Sequence, residues 1–80
     1  MNRPWHRQAA FSFIAARSRL TNEQRIAILE LTETIAQDPY GYEAIIYPNG
    51  DREVNVAGVW VRYRIADQKR AVIFLDIAKA

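Results

Sequence analysis

The sequence contains no cysteine and a single histidine, His6. Disulfides and thiolate metal sites are therefore excluded, and a histidine-based metal site or a Ser-His-Asp triad has little material from which to form. The three glycines, at positions 41, 50 and 58, fall in predicted turns, and the sequence has no phosphate-cradling loop. These shortages give small-molecule catalysis no support, and we expect neither a metal nor a cofactor.

A long apolar run is also missing, since no stretch approaches the roughly 20 residues that a membrane-spanning helix requires. The apolar stretch near the N-terminus is short and is followed at once by Arg17 and Arg19, so we reject a signal peptide. Together with the lack of cysteine, this favours a cytoplasmic protein. Eighty residues, half of them hydrophobic and a quarter charged, predict one small domain that spans residues 1–80.

Acidic residues are absent from the first twenty positions, which carry four arginines. Residues 21–53 carry seven acids against two arginines, and residues 54–80 carry five bases against two aspartates. Basic ends around an acidic middle indicate a polyanion or an acidic partner that meets both ends. The alternative is a scattered, solvated set of surface charges.

Two helices are predicted in the first half of the chain. Pro4 and the apolar spacing that follows it favour a helix from Trp5 to about Arg19. The stretch Thr21-Asn22-Glu23-Gln24 fits a capping box at the start of a second helix, which Asp38-Pro39 ends. So short a break between them predicts an αα-hairpin. The larger residues on the predicted apolar rows are Phe13, Leu20, Ile26, Ile28, Leu29, Leu31 and Ile35.

From Tyr42 onward the apolar period changes to two, which is typical of strands. The predicted strands cover residues 43–47, 52–56, 59–65 and 71–77, separated by an Asn-Gly turn, a bend at Ala57-Gly58 and a charged turn at residues 67–70. We therefore predict an α+β fold in which an N-terminal helical hairpin packs on an antiparallel β-meander of three to four strands.

The strand over residues 59–65 carries Trp60, Arg62 and Arg64 on one face. The two arginines would project about 7 Å apart, close to the spacing of adjacent phosphates, and Trp60 could stack a base beside them. Arg52 and Lys79 would add charge if their strands lie alongside. The alternative is a solvated sheet surface on which the arginine stems lie and Trp60 fills a gap.

The order of these elements resembles the RelE/ParE family of bacterial toxins. The helix ends in "AQDPYG", which contains the Asp-Pro and glycine of the family's pattern. The segment "DREVNVAGVWVRYRIADQKRAVIFLDIAK" then supplies a strand, a glycine turn, an arginine-bearing strand, an acidic-basic turn and a final apolar strand. The resemblance covers roughly residues 5–79.

The resemblance implies a toxin-like component of a type II toxin–antitoxin module, of the kind linked to plasmid stabilization. It would inhibit growth by binding gyrase or the translation machinery. It also implies an acidic antitoxin as partner, for which Tyr40, Tyr42 and Tyr47, together with Trp60, are candidate anchors because aromatic residues and arginine dominate interface hot spots.

Three departures from the family pattern shape the functional expectation. The family opens with a β-strand, which residues 1–11 do not resemble, so we predict that this strand is missing or supplied by a partner. An open sheet edge would then invite a homo-oligomer. The family's nucleases also carry basic and tyrosine residues on the last strands and a C-terminal tail, which we expect to be lacking beyond Lys79. Asn55 or Val56 replaces the usual basic residue before the glycine turn.

These departures leave three functional hypotheses. The first is a toxin that acts by binding its target. The second is a non-toxic binding or assembly module that uses the sheet face or edge. The third is an RNA-cleaving enzyme whose activity depends on Arg62 or Arg64.

Overall fold

The computed structural model describes residues 3–80, which form two α-helices packed on a five-stranded mixed sheet. The elements are β1 His6–Ala9, α1 Phe11–Arg17, α2 Asn22–Gln37, β2 Ile45–Ile46, β3 Arg52–Val56, β4 Val59–Ala66, a 3₁₀ turn Asp67–Lys69 and β5 Ala71–Lys79. The strand order across the sheet is β1-β5-β4-β3-β2. Strands β2 to β5 form the predicted antiparallel meander, and the α+β prediction is confirmed.

Strand β1 corrects the prediction that the first strand is missing. It runs parallel to β5, with His6 opposite Ala71, and the backbone N–H of Ala10 donates to the carbonyl of Phe74 at 2.8 Å. All four side chains of β1 are exposed, so backbone pairing with β5 specifies the strand and no apolar alternation marks it in the sequence. The β5 edge that the prediction left open for self-association is therefore covered.

The helices keep their predicted order but not all their bounds. Helix α1 begins at Phe11 rather than Trp5, because the preceding residues belong to β1. Helix α2 begins with the predicted capping box, in which Thr21 and Gln24 each accept the other's backbone N–H at 3.1 Å. It ends at Gln37, just before Asp38. Among the described residues, neither helix combines the length and the apolar character that a membrane span requires.

The core lies between the helices and one face of the sheet, which we call the helix-side face. Its buried residues are Phe13, Leu20, Ile28, Leu31, Ile35, Val59, Val61, Tyr63, Val72, Phe74 and Ile77. The predicted apolar row of α2 is too wide, since Ile26 and Leu29 are 58% and 54% exposed. Helix α2 turns a narrower stripe to the sheet, and these two residues remain on the surface.

Three local features depart from a regular meander. The turn between β3 and β4 is made by Ala57 and Gly58, which both adopt left-handed conformations with φ of 51° and 80°. A bulge shifts the β4–β5 pairing, so that Arg62 lies opposite Asp76 while Tyr63 lies opposite Phe74. Strand β2 is shorter than predicted, and this leaves much of the β3 edge without a strand beside it.

Candidate functional site

The face of the sheet that points away from the helices, here called the outer face, carries the predicted arginine strand. On β4, Trp60, Arg62 and Arg64 alternate with Val59, Val61 and Tyr63, which are fully buried on the helix-side face. The predicted alternation is confirmed. The structure adds what the sequence does not show, which is the set of neighbours around each arginine.

Arg62 lies in a row of charges that crosses three strands. Its guanidinium is 3.5 Å from the carboxylate of Glu53 on β3, and its cross-strand neighbour on β5 is Asp76. It also lies 4.5 Å above the ring of Tyr47, whose hydroxyl donates to Glu53 at 2.7 Å. Arg62 is therefore flanked by carboxylates and fixed by an aromatic ring.

Arg64 is paired with the turn that precedes β3. Its Nε donates to Asp51 at 2.7 Å, and the Asn49 side chain donates to the same carboxylate at 3.2 Å. Asp51 is only 4% exposed, and the bond from Arg64 lowers the pKa of that carboxyl against the opposing effect of burial. The Asn-Gly turn that closes the β2–β3 hairpin thus also holds the partner of Arg64.

The outer face is consequently charge-compensated rather than cationic. Arg62 and Arg64 stand against three carboxylates, those of Asp51, Glu53 and Asp76. Affinity for a nucleic-acid backbone comes from cations that neutralise phosphates and release counterions. A carboxylate already faces the Nε of each arginine and reduces its attraction for phosphate, so the geometry favours a protein contact over a nucleic-acid contact at this face.

Arg52 and Lys79 do not join these arginines. Arg52 pairs across the strands with buried Tyr63, so its side chain lies on the helix-side face, with its guanidinium 5.3 Å above the ring of Tyr40. Lys79 pairs with buried Val59 and lines a hollow with Arg19 near the end of α1. Their strands do lie beside β4, as the prediction required. In the pleat of the sheet, however, Arg52 and Lys79 point to the face opposite that of Arg62.

The three predicted tyrosine anchors also occupy separate places. Tyr40 is 52% exposed, and its hydroxyl donates to Asp67 at 2.6 Å, a bond that raises the pKa of the phenol. Tyr47 lies under Arg62 on the outer face. Tyr42 is half-buried and, of the three, is the one that lines a groove with Trp60.

That groove, here called the Trp60 groove, has a volume of about 630 Å³. It lies between the 41–45 segment and β3, and its walls include Tyr42, Glu43, Glu53, Asn55 and Trp60. A smaller hollow of about 250 Å³ adjoins it, sharing Glu53 and Trp60 and adding Arg62 and Asp76. No lysine or arginine lines the larger groove.

A second groove, the helix-side groove, runs between β1, α1 and α2 and has a volume of about 240 Å³. Arg7 and Arg17 line it together with Phe13 and Leu29, and none of its lining residues is acidic. Arg7 donates to the Thr32 hydroxyl at 3.1 Å, and Arg17 lies 5.9 Å from the Phe13 ring centre. Neither guanidinium has a carboxylate partner among residues 3–80.

Sequence reasoning missed this groove, although the acid-free first twenty residues were its signal. Leu29, which is 54% exposed, lines the groove, and the same two helices carry three more exposed apolar residues: Phe11, Ile14 and Ile26. Cations beside exposed apolar residues are the usual complement of an acidic amphipathic segment.

Two further features bear on chemistry. Among residues 3–80, no three His, Asp or Glu side chains lie close enough together to hold a metal ion. The hydroxyl of Tyr63 is buried on the helix-side face with no hydrogen-bond partner, and burial raises the pKa of this phenol.

Comparison with known proteins gives a consistent fold. No protein-family model and no curated protein matches the sequence. The isolated RelE toxin of Escherichia coli superposes with a TM-score of 0.83 at 14% identity, covering 95% of this chain and 84% of that one. A chain of the Mycobacterium tuberculosis RelBE2 toxin–antitoxin complex gives 0.81 at 14% identity, covering 96% and 92%.

The archaeal RelE–RelB complex from Pyrococcus horikoshii contains a further similar chain, with a TM-score of 0.81 at 11% identity and 96% coverage of both chains. The chain therefore has a RelE-like fold, and the resemblance drawn from the sequence is confirmed at the level of the fold.

Proposed function

We propose that this chain is the toxin-like component of a type II toxin–antitoxin module and inhibits growth by binding gyrase or the translation machinery. The observation that carries the proposal is the RelE-like fold over nearly the whole chain, shared with bacterial toxins and with a chain of an archaeal RelE–RelB complex. The similar chains belong to proteins that are solved as toxins or in toxin–antitoxin complexes.

The partner that the proposal requires is an acidic, antitoxin-like protein. The helix-side groove supports it, because Arg7 and Arg17 line that groove without a carboxylate and Leu29 offers apolar contact area. An acidic segment with apolar residues would neutralise both guanidinium groups and cover the exposed side chains. Tyr40, Tyr42 and Tyr47 remain candidate anchors at other points of the surface.

The proposal places the growth effect in binding rather than in RNA cleavage. Arg62 and Arg64 are held by Glu53 and Asp51, which competes with phosphate binding. Trp60, Arg62 and Arg64 are then target contacts on the outer face. Arg52 and Lys79 would contact a target only if it also reaches the helix-side face.

The second candidate function is a non-toxic binding or assembly module that uses the outer face or the β2 edge for a protein partner. One specific observation favours it, which is that the charges of the outer face are compensated within the chain. A surface of this kind suits another protein, since interfaces tolerate paired charges at their rims and use aromatic residues as anchors.

The test is inducible expression in bacteria, with growth followed for the native chain and for an Arg62→Ala/Arg64→Ala variant. We expect arrest with the native chain and growth with the variant. Lys69→Ala, which removes an exposed cation from the 3₁₀ turn, is the matched control and should still arrest growth. Circular dichroism of each purified chain establishes that it is folded.

Unimpeded growth with soluble, folded native chain would contradict the toxin and favour the second candidate. Arrest by the native chain and equally by the double variant would contradict the outer face as the target contact.

A further inference from the structure

We propose that the Trp60 groove is a docking site for a basic, extended peptide segment of a partner protein, with a lysine or arginine side chain placed against the Trp60 indole. The inference concerns a surface separate from the helix-side groove. It goes beyond the proposed function and holds whether or not the chain arrests growth.

The first argument is the charge of the walls. Glu43 and Glu53 line the groove, which has no lysine or arginine in its lining. The adjoining hollow adds Asp76 and one cation, Arg62, which is already 3.5 Å from Glu53. Three carboxylates around one paired arginine make the region complementary to an incoming cation.

The second argument is that the Trp60 indole is available to bind a cation. Four other aromatic rings of the described chain already carry an arginine above them: Trp5, Phe13, Tyr40 and Tyr47. Trp60 has no such cation from within residues 3–80, and it forms a wall common to the groove and the hollow. Tryptophan is the aromatic side chain that binds cations best, and nearby carboxylates strengthen the site for guanidinium or ammonium groups.

The third argument selects an extended occupant. Strand β2 pairs with β3 only through Ile45–Glu53 and Ile46–Arg52, while β3 continues to Val56. Residues 54–56 therefore have β4 on one side and no strand on the other. A free strand edge of this kind pairs with an added strand, and the Trp60 groove runs beside it.

The same features disfavour a nucleic acid in this groove. Phosphate groups would meet Glu43, Glu53 and Asp76, and the nearest cation is already in an ion pair. A peptide supplies both the backbone that the β3 edge requires and the cation that the indole requires.

The test uses the full chain with Trp5→Phe, so that its tryptophan fluorescence comes from Trp60 alone. The probe is a synthetic peptide of alternating arginine and valine, and the control peptide alternates glutamate and valine. We expect a saturable fluorescence change with the arginine peptide that weakens as salt is added.

Glu43→Gln should weaken binding of the arginine peptide about fivefold, as expected for an exposed charge pair. Glu33→Gln should leave binding unchanged, because this exposed carboxylate of α2 lines a hollow beside β1, at the opposite end of the sheet from β2 and β3. If Trp5→Phe does not fold, the same titration is read from the backbone amide signals of Val54 and Asn55 in the unaltered chain.

Three results would overturn the proposal. One is no saturable response to the arginine peptide. Another is equal or tighter binding of the glutamate peptide or of single-stranded RNA at Trp60. The third is a dimer that Glu43→Gln dissociates, which would assign the groove to a second copy of this chain.

Discussion

The helix-side groove and the outer face each present two arginines, but the two pairs differ in what surrounds them. Arg7 and Arg17 contact a threonine hydroxyl and a phenylalanine ring, and no carboxylate lines their groove. Arg62 and Arg64 are each in an ion pair with an acid from β3 or the turn before it. The number of arginines on a surface therefore does not give its charge, which depends on the partners that the fold brings beside them.

The cause of the difference lies in the order of the sequence. Arg7 and Arg17 belong to the acid-free first twenty residues, and Glu33 of α2, which lines a neighbouring hollow with Arg7, forms no ion pair with it. Arg62 and Arg64 lie on β4, whose hairpin partner β3 carries Glu53 and follows directly after Asp51. The hairpin register thus places the acidic middle of the chain against the basic strand.

The largest expected effect is on the free energy of unfolding, and it should differ between the two faces of strand β5. Phe74 on β5 is 2% exposed and packs against Phe13 and Tyr63 on the helix-side face. Phe74→Ala should lower the free energy of unfolding by about 3–5 kcal/mol, because it leaves a cavity in the core. Urea denaturation measures the change.

The matched control for Phe74→Ala is Ile73→Ala, since Ile73 is the preceding residue and is only partly buried opposite Arg64. It should cost about 1 kcal/mol. Equal costs at the two positions would mean that the outer face is covered by something other than solvent.

A smaller effect on stability is expected at the buried hydroxyl of Tyr63 on the helix-side face. Tyr63→Phe should raise the free energy of unfolding by about 1 kcal/mol, because it removes a buried hydroxyl that has no hydrogen-bond partner. Thermal denaturation of the two proteins measures the difference. Destabilisation instead would show that the hydroxyl is hydrogen-bonded in solution. The candidate donor is Arg52, whose charge and hydrogen-bonding position lower the phenol pKa against the larger effect of burial.

The smallest expected effect is a pH dependence on the outer face. Arg64 lowers the pKa of Asp51 in the folded chain. The pair therefore stabilises the fold above about pH 4, the ordinary range of the carboxyl, and this contribution is lost as the pH falls through the lower folded-state pKa. Asp51→Asn should unfold more easily than the native chain in urea at neutral pH, with the difference shrinking in acid.

The control for Asp51→Asn is the same substitution in an Arg64→Ala background, where its effect at neutral pH should be smaller because the partner is absent. An unchanged effect in that background would mean that Asp51 acts through its bonds in the turn with Asn49 rather than through Arg64.

Much of the fold was predictable because several elements have their own local signals. The capping box of α2, the Asp-Pro at its end and the alternation of β3 and β4 each indicate their element without tertiary information. Strand β1 has no such signal, since its side chains are exposed and its place depends on β5, which lies more than sixty residues later. Parallel pairing with a distant strand cannot be inferred from a pattern confined to the strand itself.

The candidate site was predictable only as a set of residue types. Alternation placed Trp60, Arg62 and Arg64 on one face, and the structure agrees. The ion pairs with Glu53 and Asp51 depend on the β3–β4 register, and the placement of Arg52 and Lys79 on the helix-side face depends on the same register. The sequence identifies the cations of a strand, but the register with the neighbouring strands decides whether those cations are free to bind a partner.

The central claim is that the two arginines of the helix-side groove have no carboxylate partner among the described residues, whereas the two arginines of the outer face are each in an ion pair. The most direct measurement is an NMR titration of the isotope-labelled chain with an acidic amphipathic peptide rich in glutamate and leucine. We expect the largest amide shifts around Arg7, Arg17 and Leu29, and their loss in an Arg7→Ala/Arg17→Ala variant. Shifts centred on Arg62 and Arg64 instead, with the helix-side groove unaffected, would contradict the account.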